Sequence, residues 1–267
     1  MELMDALRLQ WEWGADEALL DTPQDRRHAA PAPLSFPAPA ADAPAKRPTQ
    51  RPAPPRRAAA PSLAGPEEAA RLAASCATLE ELAACMRGFT GCALRDTATQ
   101  LVFADGAADA RLVIIGEAPG GEEDRTGKPF VGPAGQLLDK MLASIGMDRG
   151  KARIINSVPW RPPGNRTPTE AEIALCLPFL HRQIALIAPR VLLTLGAVAA
   201  KALLGADAQG GIRRLRGKWR QAHIEGLPTS LPCLPSYHPA YLLRTPLAKR
   251  EAWEDFLSLR AWLETRG

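Results

Sequence analysis

The sequence predicts an α/β fold, a three-layer α/β/α sandwich with a central four-stranded parallel sheet. Four short apolar runs, at residues 112–115, 152–158, 191–195 and 231–235, are typical of strands that are buried on both faces. Stretches with helical periodicity separate these runs along the chain, as in doubly wound sheets. The folded part, at roughly 200 residues, is long enough to bury a single core.

Capping residues and periodicity place the helices. An alanine-rich stretch, 66–89, predicts one or two helices with a break near Thr78. Residues 134–145 carry apolar side chains on one face, and Thr169 with Glu172 forms a capping box for a helix that reaches residue 188. The short apolar run 101–103 is a candidate edge strand. A last helix is expected to place its large apolar residues on its inner side: Trp253, Phe256, Leu257, Leu259 and Trp262.

Composition divides the 267 residues into three parts. Residues 1–21 form a short amphipathic peptide with Trp11 and Trp13, and we expect residues 1–20 either to bind a protein partner or to fold back onto the domain. Residues 22–66 are rich in proline, alanine and basic residues and carry almost no aliphatic bulk, so they are predicted to be a disordered linker. Residues 67–267 form the folded domain.

Composition also bounds the class of protein. The chain has no apolar run of about 18 residues that would span a membrane, and its start does not have the pattern of a signal peptide. Five cysteines, an odd number at irregular spacing, favour a reducing cytoplasm over a disulfide framework. The net charge of +4 allows a nucleic-acid partner without requiring one. We expect a monomer.

The chain is organised around residues 112–139, which read LVIIGEAPGGEEDRTGKPFVGPAGQLLD. A glycine-rich turn, 116–121, ends the first strand at the place where open α/β sheets bind ligands. The turn matches neither GxGxxG nor the phosphate loop, so alone it fits an ordinary strand-to-helix turn equally well. A second glycine-rich patch, 127–135, places the ring of Phe130 between small residues, which suits a flat ligand.

Three further segments follow the later strands. A proline-rich loop, 159–168, comes after Asn156, and residues 236–244 surround His238. Residues 212–220 are basic and fit either a contact with a phosphate backbone or a solvated hairpin. Because parallel strands bring their carboxyl ends to one edge, a carboxylate, an amide, a histidine, an aromatic ring and arginines converge there. This set suits recognition of a polar ring on a phosphodiester chain.

Four motifs taken together resemble family 4 uracil-DNA glycosylases. They are GEAPG at 116–120 with Glu123 and Asp124, GKPFVG at 127–132, Asn156 with RPPGNR at 161–166, and HPAYLLR at 238–244. The resemblance covers residues 90–262, in order and with family-like spacing. It implies a DNA repair enzyme that flips uracil out of the helix, hydrolyses its N-glycosidic bond and leaves an abasic site.

The resemblance also implies roles for individual residues. His238 would donate a hydrogen bond to the departing uracil. Glu117 would position the water, because Ala118 stands where the best-studied uracil glycosylases carry an aspartate. The uracil-binding residues would be Ala118, Glu123, Phe130 and Asn156. The DNA-binding residues would be Arg161, Asn165, Arg166, Arg214, Arg216, Leu242 and Arg244, with Leu242 and Leu243 available as an apolar wedge.

Family 4 enzymes usually hold an iron–sulfur cluster on four cysteines, and here the chain departs from its family. Cys92 and Cys176 occupy two of those positions, while Phe89 and Trp160 occupy the other two. A [4Fe–4S] cluster needs four thiolates. We therefore expect no iron–sulfur cluster and no other metal or cofactor, with the two aromatic side chains filling the volume.

Two alternatives remain open. One is a non-catalytic DNA-binding or replication-adaptor protein on the same fold, against which the joint presence of Glu117, Asn156 and His238 speaks. The other is a relative that traps the sugar covalently through a histidine in an inserted loop after the second strand. In this chain that loop, 160–168, contains no histidine.

Overall fold

The computed structural model of the protein describes residues 65–266. The peptide 1–21 and nearly all of the linker 22–66 lie outside these residues. The described part contains ten α-helices: α1 (Pro66–Ser75), α2 (Leu79–Gly88), α3 (Leu94–Thr97), α4 (Gly121–Thr126), α5 (Pro133–Ala143), α6 (Glu170–Ile187), α7 (Ala197–Leu204), α8 (Ile212–Leu215), α9 (Pro239–Arg244) and α10 (Lys249–Arg266).

Six strands form one sheet in the order β1-β3-β2-β4-β6-β5. They are β1 (Asp105–Gly106), β2 (Leu112–Gly116), β3 (Ala152–Asn156), β4 (Val191–Leu195), β5 (Arg220–Ala222) and β6 (Leu231–Ser236). The four central strands, β3, β2, β4 and β6, are parallel to their neighbours, which confirms the predicted centre of the fold. The prediction lacked the two short antiparallel strands, β1 and β5, that close the edges of the sheet.

Alternate residues of the central strands face two separate apolar layers. Val113 and Ile115 of β2 pack with side chains from α6 and α7, whereas Leu112 and Ile114 pack with side chains from α5 and α10. Every residue of β2 and β4 is buried, and apart from Thr194 these strands carry no polar side chain, rather than alternating with polar residues. The sheet therefore has helices on both faces, as a three-layer sandwich requires.

Both predicted helix starts are capped as expected. Thr78 Oγ1 accepts a hydrogen bond from Glu81 N at 3.1 Å and separates α1 from α2. At the start of α6, Thr169 Oγ1 accepts from Glu172 N at 3.2 Å, and the Glu172 carboxylate accepts from Thr169 N at 2.7 Å. None of the helices between residues 65 and 266 is long and apolar enough to cross a bilayer.

Three local predictions are wrong. Residues 101–103 do not form an edge strand, because Val102 is buried and its N–H donates outside the sheet, to Pro159 O. The basic stretch 212–220 is not simply a loop, since it holds α8 and the start of β5. On α10, Trp253 and Leu257 are 43% and 40% exposed, because the inner side of the helix is taken by residues such as Phe256 and Leu259.

Candidate active site

A cleft of about 470 Å³ opens at the carboxyl ends of the parallel strands. β2 lies between β3 and β4 in the sheet: the chain passes from β2 to β3 on one side and then forms β4 on the other side. This reversal of strand order is the switch point where such folds bind ligands. Nine of the predicted site residues line this one cleft: Glu117, Ala118, Glu123, Phe130, Asn156, Asn165, Arg166, His238 and Arg244.

Glu123 joins the two glycine-rich segments of the cleft. One carboxylate oxygen accepts from Gly120 N at 3.0 Å, and the other accepts from Val131 N and Gly132 N, each at 2.9 Å. Both oxygens are therefore engaged by backbone amides. Glu123 therefore ties the loop that carries Phe130 to the turn that follows Glu117, and it shapes the cleft through these backbone contacts.

The backbone of Phe130 is held in a left-handed conformation, with φ of 54°, which is uncommon for an aromatic residue. The Arg149 guanidinium stabilises this conformation by donating to the carbonyl oxygens of Pro129 and Phe130 while it pairs with Asp105 and Asp139. A Cβ atom at Gly135 would lie 1.7 Å from the Phe130 carbonyl oxygen, so glycine is required there for the loop to pack on α5.

Phe130, Asn156 and His238 meet over the end of β2. The rings of Phe130 and His238 are stacked, with centroids 5.4 Å apart and planes at 29°. A Cβ atom at Gly116 would lie 2.4 Å from Asn156 Oδ1 and 2.6 Å from the Phe130 ring, so the glycine makes room for both side chains. Asn156 is 6% exposed and makes no side-chain hydrogen bond with any described residue, which leaves its amide available to the cleft.

His238 caps the N-terminus of α9, and its Nδ1 accepts a hydrogen bond from Ala240 N at 3.2 Å. An Nδ1 atom that accepts is unprotonated, so the proton of the neutral ring lies on Nε2. Burial, and then the nearby Arg244 cation, lower the pKa of His238 to about 4. Near neutral pH, His238 is therefore an uncharged donor.

Glu117 follows β2 directly and is half-buried in the cleft. Burial raises the pKa of its carboxyl group above the ordinary value, while a hydrogen bond with the Thr167 side chain acts in the opposite direction. Thr167 belongs to the proline-rich loop after β3, so this contact links the loops of two neighbouring strands. A carboxylate at this position can accept a hydrogen bond from a water molecule.

Arginines surround the mouth of the cleft, in different states of pairing. Arg166 pairs with Glu172, with Nη2 2.6 Å from Oε1, and Arg161 Nε donates to Asn165 Oδ1 at 2.8 Å. Arg244 lines the cleft and makes no hydrogen bond or ion pair with a described residue. Arg214 is exposed on α8, outside the lining of the cleft.

Two of the predicted DNA-binding residues, Arg216 and Leu242, make internal contacts within the protein. Arg216 pairs with the buried Asp255, with Nε 3.0 Å from Oδ2, and its side chain is only 15% exposed. Leu242 is 1% exposed and packs with Tyr237, Ala248 and Ala252. The next residue, Leu243, is 44% exposed and is the one that faces solvent.

The four positions that were matched from the sequence to iron–sulfur cysteines lie together in one buried apolar cluster. Phe89, Cys92, Trp160 and Cys176 are each no more than 3% exposed, and Phe89 packs edge-on against Phe179, with centroids 5.1 Å apart. A hydrogen bond with Cys176 is the main cause that lowers the pKa of Cys92 to about 7. Within residues 65–266, no group of three or more histidine, cysteine or acidic side chains could hold a metal ion.

Arg149 and Thr167 contribute to the site and were not predicted. Thr167 directly follows the RPPGNR motif, which does not show its contact with Glu117. Leu243 was predicted together with Leu242 as an apolar wedge, but the sequence did not show which of the two is exposed. Nothing in the sequence near Arg149 indicates that it supports Phe130, because the contact depends on how the turn before β3 packs against the loop 127–132.

Comparison with known proteins points to one family. The profile of the Uracil DNA glycosylase superfamily matches residues 103–257. The chain is 39% identical over 180 residues to the type-4 uracil-DNA glycosylase of Pyrobaculum aerophilum, covering 66% of this chain and 90% of that enzyme. It is also 39% identical over 180 residues to the type-4 uracil-DNA glycosylase of Thermotoga maritima, covering 67% and 91% of the two chains.

A third relative, the type-4 uracil-DNA glycosylase of Archaeoglobus fulgidus, is 40% identical over 167 residues, covering 62% of this chain and 83% of that enzyme. The profile match includes the three strand ends that carry Glu117, Asn156 and His238. The chain belongs to the uracil-DNA glycosylase superfamily and is related within it to the type-4 enzymes.

Proposed function

We propose that this protein hydrolyses the N-glycosidic bond between uracil and deoxyribose in DNA and leaves an abasic site. The observation that carries the proposal is the meeting of Glu117, Asn156 and His238 in one cleft, each presented by the end of a different parallel strand. The cleft is large enough for one flipped base with its sugar, and flipping costs a few kcal/mol, least where the base is mispaired.

His238 is proposed to stabilise the leaving group. As the bond between C1′ and N1 breaks, negative charge develops on uracil, mainly at O2, and positive charge develops on the sugar. A neutral imidazole with its proton on Nε2 can donate to that oxygen without first losing or gaining a proton. A preorganised donor aimed at developing charge contributes roughly 3 kcal/mol to the lowering of the barrier.

Glu117 is proposed to orient the attacking water. The water oxygen forms the new bond to C1′, one water proton passes to Glu117 or to solvent, and uracil departs as an anion that solvent protonates. The negative carboxylate also faces the positively charged sugar in the transition state, which favours bond cleavage. The cleft lining contains no lysine among the described residues, so an amine nucleophile is not available there and we propose a monofunctional glycosylase.

Asn156 is proposed to read the uracil edge, because its amide can donate to a carbonyl and accept from the ring N–H. Phe130 is proposed as the stacking surface. Its stack with His238 leaves no room for a base between the two rings, so uracil contacts the other side of Phe130 or displaces the imidazole. Ala118 is proposed to contact uracil through its small side chain, and Glu123 supports the site through the backbone amides.

Arg161, Asn165, Arg166, Arg214 and Arg244 are proposed as the DNA-binding residues. Arg244 is the strongest candidate for a phosphate contact, because it lines the cleft without an internal ion pair. Arg166 would approach DNA while still paired with Glu172, which reduces its net charge. Of the two leucines expected to form the wedge, Leu243 is proposed to take that role, because a wedge must be exposed to reach the base stack.

We further propose that the protein works without an iron–sulfur cluster. The donor set at the four corresponding positions consists of two thiols and two aromatic rings, which does not fit a cluster that needs four thiolates. The rings of Phe89 and Trp160 fill buried volume next to the loop that carries Arg161. Packing would thus hold this loop where a metal cluster holds it in relatives.

The remaining proposals concern the organisation of the whole chain. We propose a peptide (1–21), a linker (22–66) and a catalytic domain (67–267), acting as a monomer in the cytoplasm, with residues 1–20 available for a protein partner. Deletion of residues 1–65 tests the division, because every residue of the cleft lies in the later part. A truncated protein that is folded but inactive would contradict it.

The experiment that tests the function is uracil release from DNA. Purified protein is incubated with an oligonucleotide containing one uracil, and alkali then cleaves the strand at any abasic site. We expect strand scission that depends on uracil, no scission of the matched thymine oligonucleotide, and no adduct trapped by borohydride. A protein that binds the oligonucleotide without releasing uracil would instead support the adaptor alternative.

A further inference from the structure

Leu247 is the most exposed large apolar side chain in the described part of the chain, with 92% of its surface accessible. Among residues 65–266, four large apolar side chains are exposed, and two of them, Leu243 and Leu247, lie within five positions of each other. Both follow His238 closely along the chain. A single exposed leucine needs no explanation, but two exposed leucines on either side of Arg244 along the chain, a residue that lines the cleft, do.

The turn that carries Leu247 is firmly held. It is a short 3₁₀ helix, Pro246–Ala248, between α9 and α10. Thr245 N donates to Tyr241 O at 2.8 Å, and Ala248 N donates to Thr245 O at 3.0 Å. Ala248 is 8% exposed and anchors the turn in the cluster that contains Leu242. Leu247 is thus exposed to solvent on a backbone that is already ordered, so binding does not carry the entropic cost of ordering this turn.

The surroundings of Leu247 identify the partner. Arg244 lines the cleft three residues earlier, and Lys249 and Arg250 follow directly, so basic side chains stand on both sides of the leucine. An apolar tip between cations suits DNA, where phosphates surround a stack of apolar base faces. Apolar side chains that enter such a stack hold neighbouring bases apart.

We propose that Leu247 is a second apolar wedge, which acts with Leu243 on the base stack of duplex DNA beside the flipped nucleotide. The inference rests on the proposed function and deepens it, because it makes the enzyme's preference for duplex over single-stranded substrate depend on a residue outside the HPAYLLR motif. In single-stranded DNA there is no paired stack to hold open, so the contribution of Leu247 is smaller there.

The experiment compares Leu247→Ala with the wild-type full chain on two substrates of one sequence, a duplex with a single U·G pair and the uracil-containing strand alone. Single-turnover rates are measured for each. We expect the ratio of duplex rate to single-strand rate to fall about tenfold in Leu247→Ala, the effect of losing an apolar wedge. Leu247→Met, which keeps apolar bulk, should restore most of the ratio.

Leu257→Ala is the matched control, because Leu257 is also an exposed leucine but lies within α10 and not in the turn that follows Arg244. Fluorescence of 2-aminopurine placed next to the uracil gives a readout without chemistry, and its rise on binding should be smaller with Leu247→Ala. An unchanged ratio, or the same change in Leu257→Ala, would overturn the proposal. Wild-type protein that releases no uracil from either substrate would instead overturn the proposed function.

Discussion

The backbone N–H of Ala240 donates to Nδ1 of His238 over 3.2 Å. This local contact, at the first turn of α9, decides which ring nitrogen carries the proton of the neutral imidazole. Since burial and Arg244 keep the pKa of His238 at about 4, the ring has one charge state and one tautomer throughout the neutral range. The helix start thus prepares a donor before any substrate arrives.

Replacing His238 by alanine should reduce the turnover number about a hundredfold, because its hydrogen bond strengthens as charge develops on the leaving base. DNA affinity should change little, since the ground-state carbonyl gains less from the donor. Single-turnover rates and fluorescence anisotropy with the same uracil oligonucleotide measure the two quantities. Activity within a few-fold of wild type would show that the donor is another group.

The pH dependence of turnover should have an acidic limb that belongs to Glu117. Burial raises the pKa of Glu117, so as the pH falls its carboxyl group becomes protonated before His238, with its pKa of about 4, gains a proton. The protonated group lacks the negative charge that makes the carboxylate a strong acceptor for water. Activity should therefore rise with pH through the raised pKa of Glu117 and then stay level to neutrality.

Glu117→Gln provides the control for this assignment. The variant should be slower and should lack that limb, because the amide does not titrate; a limb that persists unchanged in Glu117→Gln would assign it elsewhere. Thr167→Val should move the limb to higher pH, since the Thr167 hydrogen bond opposes the rise in the pKa of Glu117.

Arg214 and Arg216 should behave differently despite being two residues apart. Asp255→Ala should cost about 3 kcal/mol of unfolding free energy, because it leaves Arg216 without its buried partner. Arg214→Ala should leave the free energy of unfolding nearly unchanged and reduce the salt dependence of DNA binding by about one phosphate contact. Denaturant unfolding measures the first effect, and DNA binding at several salt concentrations measures the second. If the salt dependence of binding changed with Arg216→Ala and not with Arg214→Ala, Arg216 would be the residue that contacts phosphate.

The difference between these two arginines marks the limit of what sequence could predict. Glu117, Asn156 and His238 were predictable because each follows a buried apolar strand, and parallel strands end at one edge of the sheet. Arg216 was misassigned because its partner, Asp255, lies 39 residues further along the chain. A basic run in sequence contains no information about which of its members will find a buried carboxylate.

Leu242 and Leu243 show the same limit at a helix. α9 has only six residues, so an apolar periodicity cannot be read from it, and the burial of Leu242 depends on the position of the following turn and of α10. Glu123 lines the cleft, and its contacts with Gly120, Val131 and Gly132 depend on the fold of both glycine-rich segments, which the motif alone does not show. The motifs thus indicate which residues lie at the site, whereas the contacts of these residues depend on how the segments pack.

If the protein works without a cluster, as proposed, anaerobically purified protein should be colourless, without absorption near about 400 nm and without stoichiometric iron, because only Cys92 and Cys176 of the four residues matched to cluster cysteines carry thiols. Iron analysis and the absorption spectrum of freshly purified protein check this. Uracil release should also be insensitive to iron chelators. A brown protein with about four irons per chain would show that other ligands complete the site.

If packing has replaced the cluster, Trp160 should be important for both stability and activity. Trp160 is 2% exposed and packs in the same buried apolar cluster of side chains as Cys92 and Cys176. Arg161 follows it directly in the proline-rich loop. Trp160→Ala should therefore reduce the free energy of unfolding by about 3–5 kcal/mol, through lost apolar burial and a residual cavity. In the fraction that remains folded, uracil release should also slow, because the loop that carries Arg166 and Thr167 loses its support.

Trp253→Ala is the control, since Trp253 is 43% exposed and its loss should cost far less. Equal destabilisation of the two variants would mean that Trp160 contributes no more than an ordinary surface aromatic residue, and the loop would then be held by other contacts.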